Sequence, residues 1–267
     1  MRNFSPFQST SLMNIPRVSS IKIDLSGRTA LVTGGTRGIG LAIAQQFAKA
    51  GALVIVTGTK SDEIEKLNKN ERSSGIQYIQ TDFSSESSLS DFLIYIGTFG
   101  KIDILVNNAG INRINLNTET TVEEYDLLNV VNLKAPYLIS REVSRLMKKN
   151  NFGRIVNVTS IWSTIARPGR SLYALTKAGI VGLTRSLAVE LAKNNVLVNA
   201  VAPGFTITEL TALTNTPAEM KKITSMIPMK RMAQPVEIAN LVLFLCSDLN
   251  GYLTGQNIII DGGYTNV

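Results

Sequence analysis

The chain is expected to fold as an α/β protein, with one parallel sheet and helices wound on both of its faces. Three observations carry that expectation. Short apolar runs of strand length alternate along the sequence with longer stretches of helical period. The first junction between them is a glycine loop, Gly34-Gly35-Thr36-Arg37-Gly38-Ile39-Gly40. The length of 267 residues, 44% hydrophobic and 18% charged, with no internal repeat and no linker, suits one large domain with a substantial core.

Residues 1–24 stand apart from that domain. Positions 1–23 contain no Asp or Glu, are rich in Ser and Thr, and carry Arg2, Arg17 and Lys22. This is the composition of a disordered extension; an organellar leader and a true start at Met13 are the alternatives. The fold proper is expected from Leu25 to Val267.

Thr29–Thr33 is the first strand. The glycines at 34, 38 and 40 allow a tight turn and a close approach of backbone to a pyrophosphate at the start of the helix that runs to Ala50. The spacing is G-x-x-x-G-x-G, and a plain strand-to-helix turn is the alternative. Gly51 closes the helix, and Leu53–Thr57 is a second strand. Near the end of that strand a dinucleotide's adenosine ribose is read, and an acid there would bind a free 2′-hydroxyl and repel a 2′-phosphate. The sequence instead has Thr57-Gly58-Thr59-Lys60, with no acid before Asp62, and Arg37 adds a second cation. Both features favour NADP(H) over NAD(H).

The alternation continues with a helix over Ser61–Arg72, a strand at Ile76–Gln80, a helix over Glu86–Phe99 and a strand at Ile102–Val106. Asp82 is placed either to hydrogen-bond an adenine amino group or to cap the following helix. Asn107-Asn108-Ala109-Gly110 leaves the fourth strand with small residues and amides that suit close packing over a nucleotide. A helix from Val122 reaches Asn132 and continues or restarts to Asn150. Asn132 lies among Val130, Val131 and Leu133, where an amide needs hydrogen-bond partners. A bent helix whose freed carbonyl holds water near a lysine would account for it. Arg154–Thr159 is a strand that delivers Ser160 at its carboxyl end, where open α/β sheets place ligands. Ser171–Asn194 is a long helix and Val196–Val201 a further strand, left through Pro203-Gly204-Phe205-Thr206-Ile207-Thr208. Residues 206–225 are polar and weakly periodic, and are expected to form a mobile cover over the substrate. Pro235–Ser247 is an amphipathic helix and Asn257–Ile260 the last strand.

The chemistry converges on three side chains. Tyr173 and Lys177 stand at i and i+4 and so share one helix face, and Ser160 offers a hydroxyl from another segment. A phenol titrates near pH 10. An ammonium about 4 Å away at an effective dielectric of about 20 would favour the phenolate by roughly 4 kcal/mol, about three pKa units. That would bring Tyr173 into acid–base range. The layout suits proton transfer to an oxygen on carbon and needs a hydride carrier beside it.

Composition removes the main competitors. The chain has no histidine, which excludes Ser-His-Asp hydrolysis and nearly every zinc site, and no metal site is expected. Its one cysteine, Cys246, lies in an apolar helical pattern and is read as a small core residue in a reducing compartment. The net charge of +7 is scattered, without a basic stripe interleaved with aromatics, so nucleic acid is not expected. No apolar run approaches the ~18 residues that span a bilayer, so no membrane partner is expected.

In order and approximate spacing, TGGTRGIG at Thr33–Gly40, NNAG at Asn107–Gly110, Asn132, Ser160, YALTK at Tyr173–Lys177 and Pro203-Gly204 resemble the short-chain dehydrogenase/reductase family, over nine-tenths of the chain. The resemblance implies a Rossmann-type, seven-stranded, doubly wound parallel sheet and a homotetramer or homodimer built through the long helices and the C-terminus. It implies Tyr173 as general acid in reduction, Lys177 as the residue that lowers its pKa and binds the nicotinamide ribose, Ser160 as the residue orienting the substrate oxygen, and Asn132 as holder of a relay water. The cofactor-binding set it implies is Gly34, Thr36, Arg37, Gly38, Ile39, Gly40, Thr59, Asp82, Phe83, Asn108, Ala109, Gly110, Tyr173, Lys177, Pro203, Gly204, Thr206 and Thr208, the last against the nicotinamide carboxamide.

Within the family the chain is most similar to 3-oxoacyl-acyl-carrier-protein reductases of fatty acid biosynthesis, through NNAGINR, KAGIVGLTRSLAVELA and VNAVAPGF. That implies a cytoplasmic, NADPH-dependent ketoreductase whose small carbonyl substrate is a thioester on acyl carrier protein or CoA. One departure matters: where such reductases dock the carrier through arginines, this chain has Asn151 and Asn194. The departure motivates the alternative of an NADP-dependent sugar, polyol or other secondary-alcohol dehydrogenase. A nucleotide-sensing protein without turnover is the remaining class, and the presence of all four of Asn132, Ser160, Tyr173 and Lys177 speaks against it.

Overall fold

The computed structural model describes residues 22–70, 75–209, 211 and 216–267. Residues 1–21 of the expected extension, the end of the expected second helix at Glu71–Arg72 and part of the expected cover lie outside the described residues.

Seven strands form one sheet: β1 Thr29–Val32, β2 Leu53–Gly58, β3 Ile76–Gln80, β4 Ile104–Asn107, β5 Gly153–Val158, β6 Val196–Pro203 and β7 Asn257–Ile260. Every pairing is parallel and the order is β3-β2-β1-β4-β5-β6-β7. The strands read as apolar runs because helices cover both faces, so no face of a central strand meets water. The order reverses between β1 and β4, and a doubly wound sheet opens its ligand crevice at the carboxyl ends of those strands.

Among the described residues the helices are α1 Gly38–Lys49, α2 Ser61–Asn70, α3 Glu86–Gly97, α4 Val122–Asn129, α5 Ala135–Asn150, α6 Ser171–Leu191, α7 Pro217–Met226 and α8 Pro235–Cys246. One core lies between the sheet and α1 with α8, around Phe47, Ile43, Val106 and Val242. The other lies under α3, α5 and α6, around Leu31, Leu105, Ile139 and Ile155. Cys246 is buried in the first, as a core residue should be.

The register of α6 decides where the chemistry sits. Its buried residues Thr176, Lys177, Ile180, Val181, Thr184, Ala188 and Leu191 recur at helical period, so Lys177 belongs to the stripe that faces the sheet. Beneath the site the core is polar. Asn107 donates to Ser140 Oγ (2.9 Å) and Asn157 Oδ1 (2.7 Å), and Asn157 donates to Thr184 Oγ1 (2.9 Å). That chain ties β4, β5, α5 and α6 together by groups with few alternative partners.

The irregularity expected around Asn132 takes the form of a π-helical turn, Val130–Lys134, between α4 and α5, a longer turn that admits one extra residue. Two expectations are corrected. The expected irregular cover over 206–225 contains a regular helix, α7, begun by Pro217 and a reciprocal cap between Thr216 and Glu219. Asp82 does not cap α3. Ser85 does, accepting from the Ser88 N–H, while Asp82 Oδ1 accepts from the N–H and hydroxyl of Ser84.

Candidate active site

The glycine loop is shaped for close approach. Gly38 takes φ +57°, a left-handed conformation that side chains rarely adopt. A Cβ on Gly40 would strike Asn108 Nδ2 and the Gly34 carbonyl. Asn108 Nδ2 donates to the carbonyls of Thr33 (2.9 Å) and Gly34 (2.8 Å), and Thr57 Oγ1 accepts from the Gly34 N–H (3.0 Å). The ends of β1, β2 and β4 thus hold the loop rigid. Arg37 precedes α1 without capping it through its side chain, so the first-turn N–H groups keep their capacity for an anion. This cradle fits a dinucleotide's pyrophosphate, and the residues around it continue the fit.

Ala109 packs on Gly34, and Thr208 lies against Gly38, 3.4 Å from where its Cβ would be. Gly204 accepts no side chain because Asp261 stands 2.8 Å or less from that position, and its N–H donates to Ile260. Thr36 lies against Gly58, Ile39 packs on the core, and buried Thr206 pairs with Ala233. Phe83 is different. Its ring is buried edge-on to Phe92, 5.7 Å away, so the side chain is a core residue.

At the end of β2 an open groove of about 790 Å³ is lined by three cations, Arg37, Lys60 and Lys66, and three acids, Asp62, Glu63 and Glu209, with Thr59 among them. Arg37 Nε lies 3.8 Å from Glu209. Thr57, at the end of β2, is buried and tied to the glycine loop, while Thr59 and Lys60 line the groove.

The expected proton-transfer residues come together at the carboxyl edge of β4 and β5. Ser160 follows β5 and is 8% exposed; its hydroxyl accepts from the Trp162 N–H (3.3 Å) and lies close enough to the Tyr173 phenol to pull its pKa down. Lys177 is 5% exposed, its ammonium 5.6 Å from the Tyr173 ring centre. Asn132 is 1% exposed and fully engaged: Nδ2 donates to the Ile111 carbonyl (2.9 Å) and Thr176 Oγ1 (3.2 Å), while Oδ1 accepts from the Ile111 N–H (2.9 Å). The buried amide therefore fastens the segment after β4 to α6. A Cβ on Gly110 would stand 3.3 Å from Asn132 Oδ1 and 3.4 Å from Lys177 Nζ, so this glycine leaves room where the two converge.

The electrostatics depart from the expectation. Lys177 Nζ donates to the Val158 carbonyl at 2.8 Å rather than to the phenol. Burial dominates both groups. It pushes the Tyr173 hydroxyl up to about 12, against the opposing pull of Arg170 and the Ser160 hydroxyl, and draws Lys177 down to about 8. The pair is therefore poised with a protonated phenol, a donor rather than a base at neutral pH. Arg170 was not among the expected site residues. It immediately precedes α6, and only its place one turn before Tyr173 could have signalled it.

Among the described residues no group of three or more His, Cys, Asp or Glu could hold a metal, and no helix is long and apolar enough to cross a membrane.

Comparison with known proteins agrees with this geometry. A family model described as enoyl-(acyl carrier protein) reductase matches residues 34–265. The chain is 42% identical over 248 residues to the 3-oxoacyl-[acyl-carrier-protein] reductase FabG of Aquifex aeolicus, covering 91% of this chain and 99% of that one. Among solved structures it superposes on a gluconate 5-dehydrogenase from Burkholderia cenocepacia J2315 in complex with NADP and tartrate, with TM-score 0.85, 31% identity and 92% and 98% of the two chains covered. It also superposes on a protein described as an NAD(P)-dependent gluconate 5-dehydrogenase from Beutenbergia cavernae with bound NADP, with TM-score 0.87, 34% identity and coverage of 92% and 100%.

Proposed function

This chain belongs to the short-chain dehydrogenase/reductase family, an NAD(P)-dependent oxidoreductase family, and from that premise we propose that it is an NADPH-dependent ketoreductase acting on a 3-oxoacyl thioester. The observation that carries the ketoreductase part is the convergence of Tyr173, Ser160 and Lys177 at the carboxyl edge of the sheet, where burial favours the protonated phenol. When bound, the nicotinamide supplies the hydride to the carbonyl carbon. Tyr173 gives its proton to the carbonyl oxygen, so that the substrate leaves as a secondary alcohol. Ser160 holds that oxygen against the phenol. Lys177 stabilises the phenolate left behind, and because its own pKa is drawn toward 8 it can pass a proton back. Asn132 fixes the segment after β4 over the site.

NADPH is favoured by Arg37 and Lys60 at the groove beside β2 and by the absence of an acid in Thr57-Gly58-Thr59-Lys60. The residues assigned to the cofactor are those of the glycine loop, Asn108–Gly110 and Pro203–Thr208. The segment 206–225, α7 included, is assigned the cover over the substrate. The thioester is favoured by the FabG relatives, whose names state that substrate class. The exposed apolar residues Tyr137, Leu175 and Val189 on the long helices support a homotetramer or homodimer, and we place the enzyme in the cytoplasm.

A second reading, a dehydrogenase of sugar acids or polyols, has its own support. Asn194 Nδ2 donates to Asn151 Oδ1 at 3.4 Å, so the two positions expected to dock a carrier are neutral and paired with each other. The gluconate 5-dehydrogenase neighbours point the same way. Initial rates with NADPH and acetoacetyl-CoA, beside NADP with a panel of sugars and polyols, test the proposal. Rapid NADPH oxidation supports the thioester reductase. Activity confined to the panel replaces it with the second reading.

A further inference from the structure

Among the described residues Arg170 has no ion-pair partner. Its guanidinium is half-buried and lies 5.6 Å from the centre of the Trp162 ring. Arg167, three residues earlier, adds a second guanidinium, and the loop between them closes through a hydrogen bond from the Arg170 N–H to the Arg167 carbonyl (3.2 Å). Among the described residues no carboxylate stands within ion-pair distance of either side chain, although Glu219 feels the charge of Arg167 from farther off. Arg231 shows the contrast, held by both oxygens of Glu237 at 2.6 and 2.7 Å. Partial burial costs a charge its hydration, and an unpaired charge bears that cost alone. Arg170 registers the cost, its pKa lowered first by burial, and the oppositely acting group it feels is Tyr173.

The two arginines also share a groove of about 280 Å³. It runs beside the loop before α6, with Leu116 and Asn117 from the segment after β4 and Pro168 and Ala174 completing its wall. An apolar wall with two guanidiniums presents the planar, bidentate donors that carboxylates and phosphates accept best.

We propose that Arg170, with Arg167, forms an anion-binding subsite that takes a negatively charged oxyanion group carried by the substrate itself, so that the site selects anionic oxo compounds over neutral ones. The inference rests on Tyr173 being the proton donor to the substrate carbonyl. The oxyanion has two possible sources: the carboxylate of an oxo or hydroxy acid, or the phosphate of a pantetheine arm.

Trp162 is the chain's single tryptophan, so its fluorescence reports on this subsite without requiring turnover. The protein is titrated with sodium acetoacetate against methyl acetoacetate, and with 4′-phosphopantetheine against pantetheine. A saturable change with an anionic probe, absent with its neutral partner, is expected, at least fivefold weaker in Arg170→Gln and partly restored in Arg170→Lys. Acetoacetate alone assigns the carboxylate source, and phosphopantetheine alone the phosphate. Rates give the second readout: Arg170→Gln is expected to lower the ratio of kcat/KM for acetoacetate, or for acetoacetyl-CoA, over that for methyl acetoacetate at least tenfold. Equal response to anionic and neutral probes, or anion binding and selectivity unchanged in Arg170→Gln, overturns the subsite. Selective anion binding without reduction of any of these compounds leaves the subsite standing and overturns the ketoreductase reading.

Discussion

The crevice at the carboxyl edge of the sheet has two ends built on opposite principles. At the Tyr173 end, Asn132, Ser160 and Lys177 are each no more than 8% exposed, and their polar atoms are engaged by Ile111, Thr176, Trp162 and Val158. At the β2 end, Arg37 and Glu209 have side chains 57% and 68% exposed and meet at 3.8 Å in an open groove. Burial fixes geometry and moves pKa values; exposure leaves charges ordinary and interchangeable. One end can therefore do chemistry while the other can only choose between ligands.

The sharpest way to break that comparison is Tyr173→Phe. Removing the donor should lower kcat by about 10²–10⁴-fold, the range that general acid catalysis supplies, while NADPH titrated by its fluorescence still binds. Near-normal turnover would refute the assignment.

Lys177→Met tests the cost of burial. A lysine whose folded pKa of about 8 lies below its ordinary 10.5 holds fewer protons folded than unfolded between those values. Its contribution to stability is complete above pH 10.5 and is lost as pH falls toward 8. Denaturant unfolding should show wild type gaining up to about 3 kcal/mol on Lys177→Met between pH 8 and 10.5. Parallel curves for the two proteins would mean that Lys177 is not desolvated as described.

At the open end effects should be smaller. Arg37→Ala is expected to reduce the preference for NADPH over NADH by about tenfold, measured as the ratio of Kd values, since one charge-assisted contact is removed. An unchanged ratio would remove Arg37 from cofactor choice. The least effect belongs to Glu209→Gln: an exposed pair at 3.8 Å contributes under about 1 kcal/mol, so NADPH affinity should move by less than about fivefold. A larger change would show that the groove is less exposed in function than it is here.

The same contrast explains what the sequence made legible. The alternation of runs and the glycine loop predict the sheet and the helices flanking it, because period and turn chemistry are local. The i,i+4 spacing of Tyr173 and Lys177, the strand end at Ser160 and the amide stranded at Asn132 all depend on neighbours along one element. What failed depended on other segments. That Lys177 Nζ turns to the Val158 carbonyl, and that desolvation outweighs the expected ion pairing, follow from β5 packing over α6. The Phe83 side chain packs edge-on to Phe92 in the core, a contact that no local pattern announces. Thr216 and Glu219 did carry the signature of a capped helix, and the polarity of α7 hid it. Arg170 was silent because its meaning lies in the acid that is missing beside it.

The π-helical turn at Val130–Lys134 carries one residue more than a regular helix would. Each residue of an α-helix advances the chain by roughly 100° around its axis. A single-codon deletion anywhere in those five positions would thus yield a smoother helix and a worse protein. Either α4 or α5 would arrive rotated by about a quarter turn, and the Asn132 amide would swing away from Ile111. The spare residue thus sets the rotation between α4 and α5 on which the Asn132 contacts depend.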